Sequence, residues 1–129
     1  GLYNNQMNES KPTKVADNKL GEWNSFYIKM VGDRVTVVLN GEKVVDDVIL
    51  ENYWDRKLPI FPVEQIELQA HGSKVYYRNI YVKELERKDR SNFQPKKRRK
   101  VLRFCLTVRI CMNGQVTRLI IPWKTVAFP

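Results

Sequence analysis

Alternating apolar residues around an Asn-Gly pair constrain the fold of this chain more than any other feature. Apolar side chains occupy every second position from Phe26 to Met30, and the same alternation returns from Val35 to Leu39. Asn40-Gly41 follows directly, and both residues tolerate the positive φ of a tight two-residue turn. We therefore expect residues 42–45 to fold back on the preceding strand, which predicts a half-buried antiparallel sheet.

Two later segments, residues 65–70 and 75–85, also have strand character and are joined by a short segment that contains His71 and Gly72. Gly32-Asp33 supplies a turn between the first two strands. The first twenty residues are polar and predict an irregular loop after a short strand remnant at Leu2-Tyr3. Residues 50–62 have no period and predict an aromatic, proline-stiffened loop. The count is five strands and no helix.

The charge of the chain is divided sharply along its length. Residues 1–85 hold 11 Lys and Arg against 12 Asp and Glu, whereas residues 86–129 hold 12 against 2, so the net charge of +9 comes from the last third. A basic tail favours binding to nucleic acid or another anionic surface, but the predicted folded part is close to neutral.

The remaining bulk features exclude several classes of protein. Cys105 and Cys111 have no accompanying histidines, so they do not predict a zinc site. No apolar run reaches about eighteen residues, so neither a transmembrane helix nor a membrane partner is predicted. The chain begins with Gly1 rather than Met, as a fragment does, and the absence of a signal peptide is therefore uninformative.

The motifs of residues 21–85 resemble the end of a domain of the 3-keto-disaccharide hydrolase family. They are GEWN at residues 21–24, LNG at residues 39–41, LQAHG at residues 68–72, Val75, and RNI at residues 78–80. The resemblance implies an all-β, antiparallel β-sandwich of the concanavalin-A-like jelly-roll type. Five strands fall short of the eight or so that a jelly roll uses, so we expect residues 1–85 to form the C-terminal part of one domain, incomplete on its N-terminal side.

The family resemblance also implies a function and a location. Family members are carbohydrate-active enzymes of gut-type bacteria, and some have two such domains in tandem. The resemblance also implies a periplasmic or secreted protein. A ketone at C3 of a sugar acidifies the C2 proton, so a base and an electrophile can drive elimination at C1 followed by addition of water. We expect the 129-residue chain alone to be inactive.

Two residues are candidates for catalysis. His71 is the only histidine of the chain, and it can serve as a general acid or base or as a metal ligand, or it can only hydrogen-bond its turn. Arg78 can hold the enolate oxygen, or it can form a structural ion pair. A divalent metal is a possible cofactor.

Five residues are candidates for substrate binding. In a regular strand Glu67 and Gln69 share a face that suits sugar hydroxyls, or that face is merely solvated. Tyr53 and Trp54 can stack on a sugar ring or anchor the rim of the sandwich. Asn40 joins Trp54 and Gln69 in the alternative function, a non-catalytic glycan-binding sandwich.

The basic tail allows two interpretations. Residues 95–101, PKKRRKV, resemble a nuclear localisation signal and support a minor alternative of nuclear or nucleic-acid binding. Shifted by one base with synonymous codons, however, residues 101–129 read GFKVLFDGTNMYEWTGNTVDYTMEDGCIS, which resembles the opening of another domain of the same family. We therefore expect residues 86–129 to be an out-of-frame translation. If the tail is genuine, residues 102–108 and 118–121 are its candidate strands.

Overall fold

One antiparallel sheet organises the chain. The computed structural model describes residues 1–62, 65–68, 74–85 and 103–112, and within them it contains no helix, hence no helix that could span a membrane. The strands are β1 (Trp23–Val31), β2 (Arg34–Leu39), β3 (Glu42–Ile49), β4 (Val75–Glu84) and β5 (Arg103–Met112). They lie in the order β3-β2-β1-β5-β4, and every neighbouring pair is antiparallel. The predicted all-β antiparallel class is confirmed, and the single sheet is consistent with an incomplete sandwich.

Both predicted hairpin turns are present. Gly32 begins the turn between β1 and β2 with φ of 65°, and Asn40 and Gly41 join β2 to β3 with φ of 52° and 88°. The Asn40 amide also donates to the Ser25 carbonyl at 2.9 Å. The turn chemistry visible in the sequence thus sets the order β1, β2, β3.

Strand β3 continues to Ile49 rather than ending at Val45, because two irregularities interrupt its alternation. Its register against β2 shifts twice, and Asp47 has φ of 53°. An extra residue in one strand turns consecutive side chains to one side, and here Val44 and Val45 are both buried. The prediction ended too early because a bulge breaks the period of two.

Two other strand predictions were wrong. Leu2-Tyr3 forms a turn instead of a strand, and Leu2 is buried because the irregular N-terminal segment inserts it into the core. Residues 65–68 form no strand, and both Ile66 and Leu68 remain exposed there. Apolar alternation yields a strand only where one face is covered, and these side chains lack that cover. Gln69 and Ala70, the end of that prediction, lie outside the described residues.

The fifth strand comes from the basic tail. Strand β5 lies between β1 and β4, and its register with β1 runs from Trp23 opposite Cys111 to Val31 opposite Arg103. This is the strand expected near residues 102–108 if the tail is genuine; residues 118–121 lie outside the described part of the chain. Strand formation does not depend on the origin of the reading frame, so the out-of-frame interpretation stays a prediction.

The hydrophobic core lies on one face of the sheet. Its most completely buried side chains come from three strands: Ile28, Met30, Val35, Leu106 and Val108. Irregular segments cover them, since Leu2 and Ala16 come from the N-terminal loop and Leu50 and Ile60 from the loop after β3. The opposite face of the sheet is consequently the one available to a ligand.

Candidate functional site

The face of the sheet opposite the core carries aromatic and cationic side chains. Ile28 and Met30 point into the core, so the alternate residues of β1 point away from it. Residues directly opposite one another in neighbouring strands share a face, which extends this surface across β5 and β4. We call this surface the open face; it comprises Trp23, Ser25, Tyr27, Lys29, Cys105, Thr107, Arg109, Cys111, Tyr76, Arg78, Tyr81 and Lys83.

Arg78, a predicted catalytic residue, lies on the open face and stacks on Trp23. Its Cζ atom is 3.8 Å from the centroid of the Trp23 ring. A guanidinium over an indole is attracted by the negative ring face, and its N–H groups still point outward in the guanidinium plane. Trp23 therefore packs against Arg78, and this contact positions a planar hydrogen-bond donor on an exposed surface.

A bulge in β4 brings Tyr81 to the same face as Arg78. The register of β4 against β5 shifts between Arg78 and Tyr81, and Asn79 has φ of 54°. In a regular strand, residues three apart point to opposite sides of the sheet. The extra residue of the bulge turns both side chains to the same side, so that Arg78 lies opposite Arg109 and Tyr81 lies opposite Thr107. Bulges of this kind commonly redirect side chains next to functional sites.

Three tyrosines share the open face with Arg78. Tyr27, Tyr76 and Tyr81 are 41%, 49% and 66% exposed, which is high for large aromatic residues within strands. A hydrogen bond with the Cys105 thiol raises the pKa of Tyr27, and burial adds to this effect. Tyr27 thus keeps its hydroxyl proton at neutral pH. Exposed rings with polar ends suit a ligand that has both apolar and hydroxylated surfaces.

The two predicted stacking residues are close together but belong to another part of the molecule. The Tyr53 and Trp54 rings meet edge to face, with centroids 5.1 Å apart and planes at 75°. Their loop joins Leu50 and Ile60, which pack on the core side, whereas Arg78 belongs to the open face. Sequence reasoning did not predict this separation, because sheet faces are assigned only once the strand order is known.

Asn40 has a structural function that the sequence did not indicate. Its Oδ1 accepts from the Ser25 amide at 2.8 Å, and its Nδ2 donates to the Ala16 carbonyl and to Asn24 Oδ1, both at 2.7 Å. The side chain thus fastens the β2–β3 turn to β1 and to the N-terminal segment. Its binding to sugar stays a prediction.

The remaining predicted residues fall in or beside the part of the chain that the structure leaves undescribed. Glu67 accepts a hydrogen bond from the Gln65 side chain in an irregular segment. The regular strand that was expected to place Glu67 and Gln69 on one face is therefore absent over residues 65–68. His71 and Gln69 lie outside the described residues. Within those residues, no three His, Cys, Asp or Glu side chains are grouped to hold a metal ion.

Sequence reasoning missed a buried carboxylate, Glu51, which is 5% exposed. Its Oε2 accepts from the Gln6 amide at 2.9 Å, and its Oε1 accepts from the amides of Met7 and Asn8 at 2.7 and 2.6 Å. The Asn8 side-chain amide adds a further bond at 2.9 Å. No local signal identified this site, because Glu51 and these donors are 43 to 45 residues apart in sequence.

The electrostatics of Glu51 mark it as structural. Burial alone raises the pKa of this carboxyl group, but hydrogen bonds from Gln6, Asn8 and Met7 together outweigh that effect and lower the pKa below its ordinary value. Arg56 adds an ion pair with 3.3 Å between Nε and Oε2, although this contact lacks hydrogen-bond geometry. With its acceptors already engaged by the chain, Glu51 is no candidate for a general base.

An antiparallel sheet with one face packed on a core and the other face exposed is typical of half of a β-sandwich domain. A family model described as 3-keto-alpha-glucoside-1,2-lyase-like domain matches residues 1–83, more than half of the chain. The chain belongs to this family, which confirms the resemblance of its motifs to 3-keto-disaccharide hydrolases. No curated protein and no solved structure matched the chain.

Proposed function

We propose that residues 1–85 belong to a domain that cleaves 3-keto-glycosides, or related glycosides, by elimination and hydration. The family match over residues 1–83 is the observation that carries this proposal, and the description of the family names a 3-keto-alpha-glucoside. The exposed and stacked Arg78 adds support, because this chemistry needs a donor where negative charge develops. The intact protein is periplasmic or secreted, and within it a second domain of the same family follows residues 1–85.

The reaction follows from the acidity that the ketone confers on its neighbour. A base removes the C2 proton, and the electron pair moves toward the C3 carbonyl to give an enolate. When the electron pair of the enolate moves back, it forms the C1–C2 double bond and breaks the bond between C1 and the glycosidic oxygen. That oxygen takes up a proton as it leaves. Addition of water across the double bond completes a net hydrolysis.

The residues of this chain have distinct functions in the proposal. Arg78 donates to the enolate oxygen, and its planar group offers two parallel N–H bonds. His71 is the proposed base or ligand of a divalent metal, and Glu67, Gln69 and Asn40 are proposed to contact the sugar. Tyr53 and Trp54 lie away from Arg78 and are proposed to stack on a sugar ring at a separate place. Stacking on Trp23 limits the motion of Arg78, which reduces the entropy lost when an oxyanion binds.

Substitution of Arg78 tests this proposal. We expect Arg78→Ala to lower kcat/KM for methyl 3-keto-α-glucoside at least about tenfold in the intact gene product, since a donor to the oxyanion is lost. Exchange of the C2 proton in deuterated water should fall in parallel. Arg34→Ala is the matched control, because Arg34 is an exposed arginine that pairs with the carboxylate and the carbonyl of Asp47. Unchanged exchange and turnover in Arg78→Ala would remove Arg78 from the mechanism.

A non-catalytic glycan-binding domain is the second candidate function. The exposure of Tyr27, Tyr76 and Tyr81 on the open face favours it, since aromatic platforms bind sugars without further machinery. Saturable binding of the 3-keto-glucoside, with no product and no C2 exchange in the intact gene product, would support this candidate against the enzyme.

For the tail, we propose that residues 86–129 are an out-of-frame translation of the start of a second domain. The shifted reading of residues 101–129 supports this proposal. Sequencing the encoding DNA across codons 80–129 and beyond both ends should show the neighbouring frame running open into that domain. An interrupted neighbouring frame would establish the basic tail as a genuine part of the protein.

A further inference from the structure

The open face carries more positive charge than a site for a neutral sugar requires. Lys29 of β1 and Lys83 of β4 both lie opposite Cys105 of β5, so the three residues form one row across the sheet. Neighbouring strands are about 4.8 Å apart, which puts the two lysine backbones about 10 Å from each other. Both side chains are exposed.

A second row places two arginines side by side. Arg78 of β4 lies directly opposite Arg109 of β5, and both side chains are exposed. Like charges directly opposite in a sheet are destabilising. None of the described positions of β1, β4 and β5 on this face is acidic, since Glu84 lies opposite Phe104 in the row of the buried Met30. The repulsion on the open face is therefore not offset by strand neighbours.

An anion that bridges these cations would offset their mutual repulsion, and this relief would strengthen its binding. The tyrosines supply the other half of the recognition surface, because Tyr76 and Tyr81 alternate with Arg78 and Lys83 along β4. Aromatic rings recognise the apolar faces of sugar rings, and the cations between them recognise carboxylate or sulfate groups.

We propose that the open face binds an anionic saccharide, a glycoside whose rings carry carboxylate or sulfate groups. This inference rests on the proposed function and specifies its substrate class. It concerns the open face of the 129-residue chain, in which residues 103–112 of the tail supply β5 and Arg109. A single-stranded nucleic acid also presents rings and anions. The saccharide is favoured because the chain belongs to a family described by its action on a glucoside.

A matched pair of ligands isolates the contribution of charge. The α-1,4-linked tetragalacturonate and its fully methyl-esterified form share the same rings and linkages and differ in negative charge. By calorimetry with the full chain at about 50 mM NaCl, we expect the acid to bind about tenfold more tightly than the ester. Raising NaCl to about 500 mM should remove most of this preference, because screening weakens exposed charge pairs.

Variants assign the preference to the open face. Combining Lys29→Gln with Lys83→Gln should weaken binding of the acid about fivefold and leave binding of the ester unchanged. Lys57→Gln is the control, since Lys57 is exposed in the loop after β3. Circular dichroism should show that each variant keeps the β-sheet content of the parent chain.

The outcomes separate this inference from the proposed function. Equal affinity for acid and ester would overturn the anionic class and leave carbohydrate recognition intact. If neither form binds while the intact gene product turns over the 3-keto-glucoside, the inference fails alone; without turnover, both proposals fail. Tighter binding of an oligouridylate with four phosphates than of tetragalacturonate would identify a nucleic-acid surface and overturn the inference.

Discussion

Replacing Glu51 by Gln is expected to lower the free energy of unfolding by about 3 kcal/mol. The carboxylate accepts hydrogen bonds from the successive backbone amides of Gln6, Met7 and Asn8 in a site that is 5% exposed. An amide side chain has only one acceptor oxygen, and its NH2 group would face backbone donors. Urea denaturation followed by tryptophan fluorescence measures the change.

Glu42→Gln is the matched control for this experiment. Glu42 forms an exposed ion pair with Lys14, which lowers the pKa of Glu42 through a hydrogen bond and through charge. Exposed pairs contribute little to stability, so we expect no measurable change in the urea midpoint. Equal effects of the two substitutions would show that the hydrogen bonds to Glu51 are not what stabilises the N-terminal segment.

The Glu51 carboxylate should make the free energy of unfolding depend on pH in the acidic range. The pKa of Glu51 is lower in the folded chain than its ordinary value of 4.5, so its contribution is complete above about pH 4.5 and is lost as pH falls through the folded pKa. Since Gln does not titrate, the difference in unfolding free energy between the parent chain and Glu51→Gln should shrink with acidification. A constant difference across this range would contradict the assignment.

The second large effect is expected at Leu106, where Leu106→Ala should lower the free energy of unfolding by about 3 kcal/mol. Leu106 is 1% exposed and lies in β5, opposite Ile28 on one side and Val82 on the other. The substitution leaves a cavity in the core at the centre of the sheet. Thermal unfolding followed by circular dichroism measures the loss.

Arg109→Ala provides the comparison on the same strand, because Arg109 is exposed on the open face. Its removal also relieves the repulsion with Arg78, so we expect stability to stay unchanged or rise slightly. If Leu106→Ala were as harmless as Arg109→Ala, β5 would not be packed at the centre of the sheet, and the tail would be dispensable for folding.

The candidate site was predictable only in part. Arg78 was found because it stands in a recognised motif, whereas Arg109 and Lys29 on the same face were not, because only strand pairing places them there. Glu51 gave no signal, since its donors lie more than forty residues away in sequence. Asn40 was identified as a turn residue, and only the structure shows its side chain bonded to β1 and to the N-terminal segment.

The sequence by itself determined the β1–β2–β3 meander and the family of the chain. Both depend on local features, namely a period of two, turn residues that accept positive φ, and short motifs. Tertiary structure decided the central place of β5, the covered face and the partners of Glu51. These depend on contacts between distant segments, whose free energy comes from burial and hydrogen bonding once the chain has folded, and no local pattern of residues encodes them.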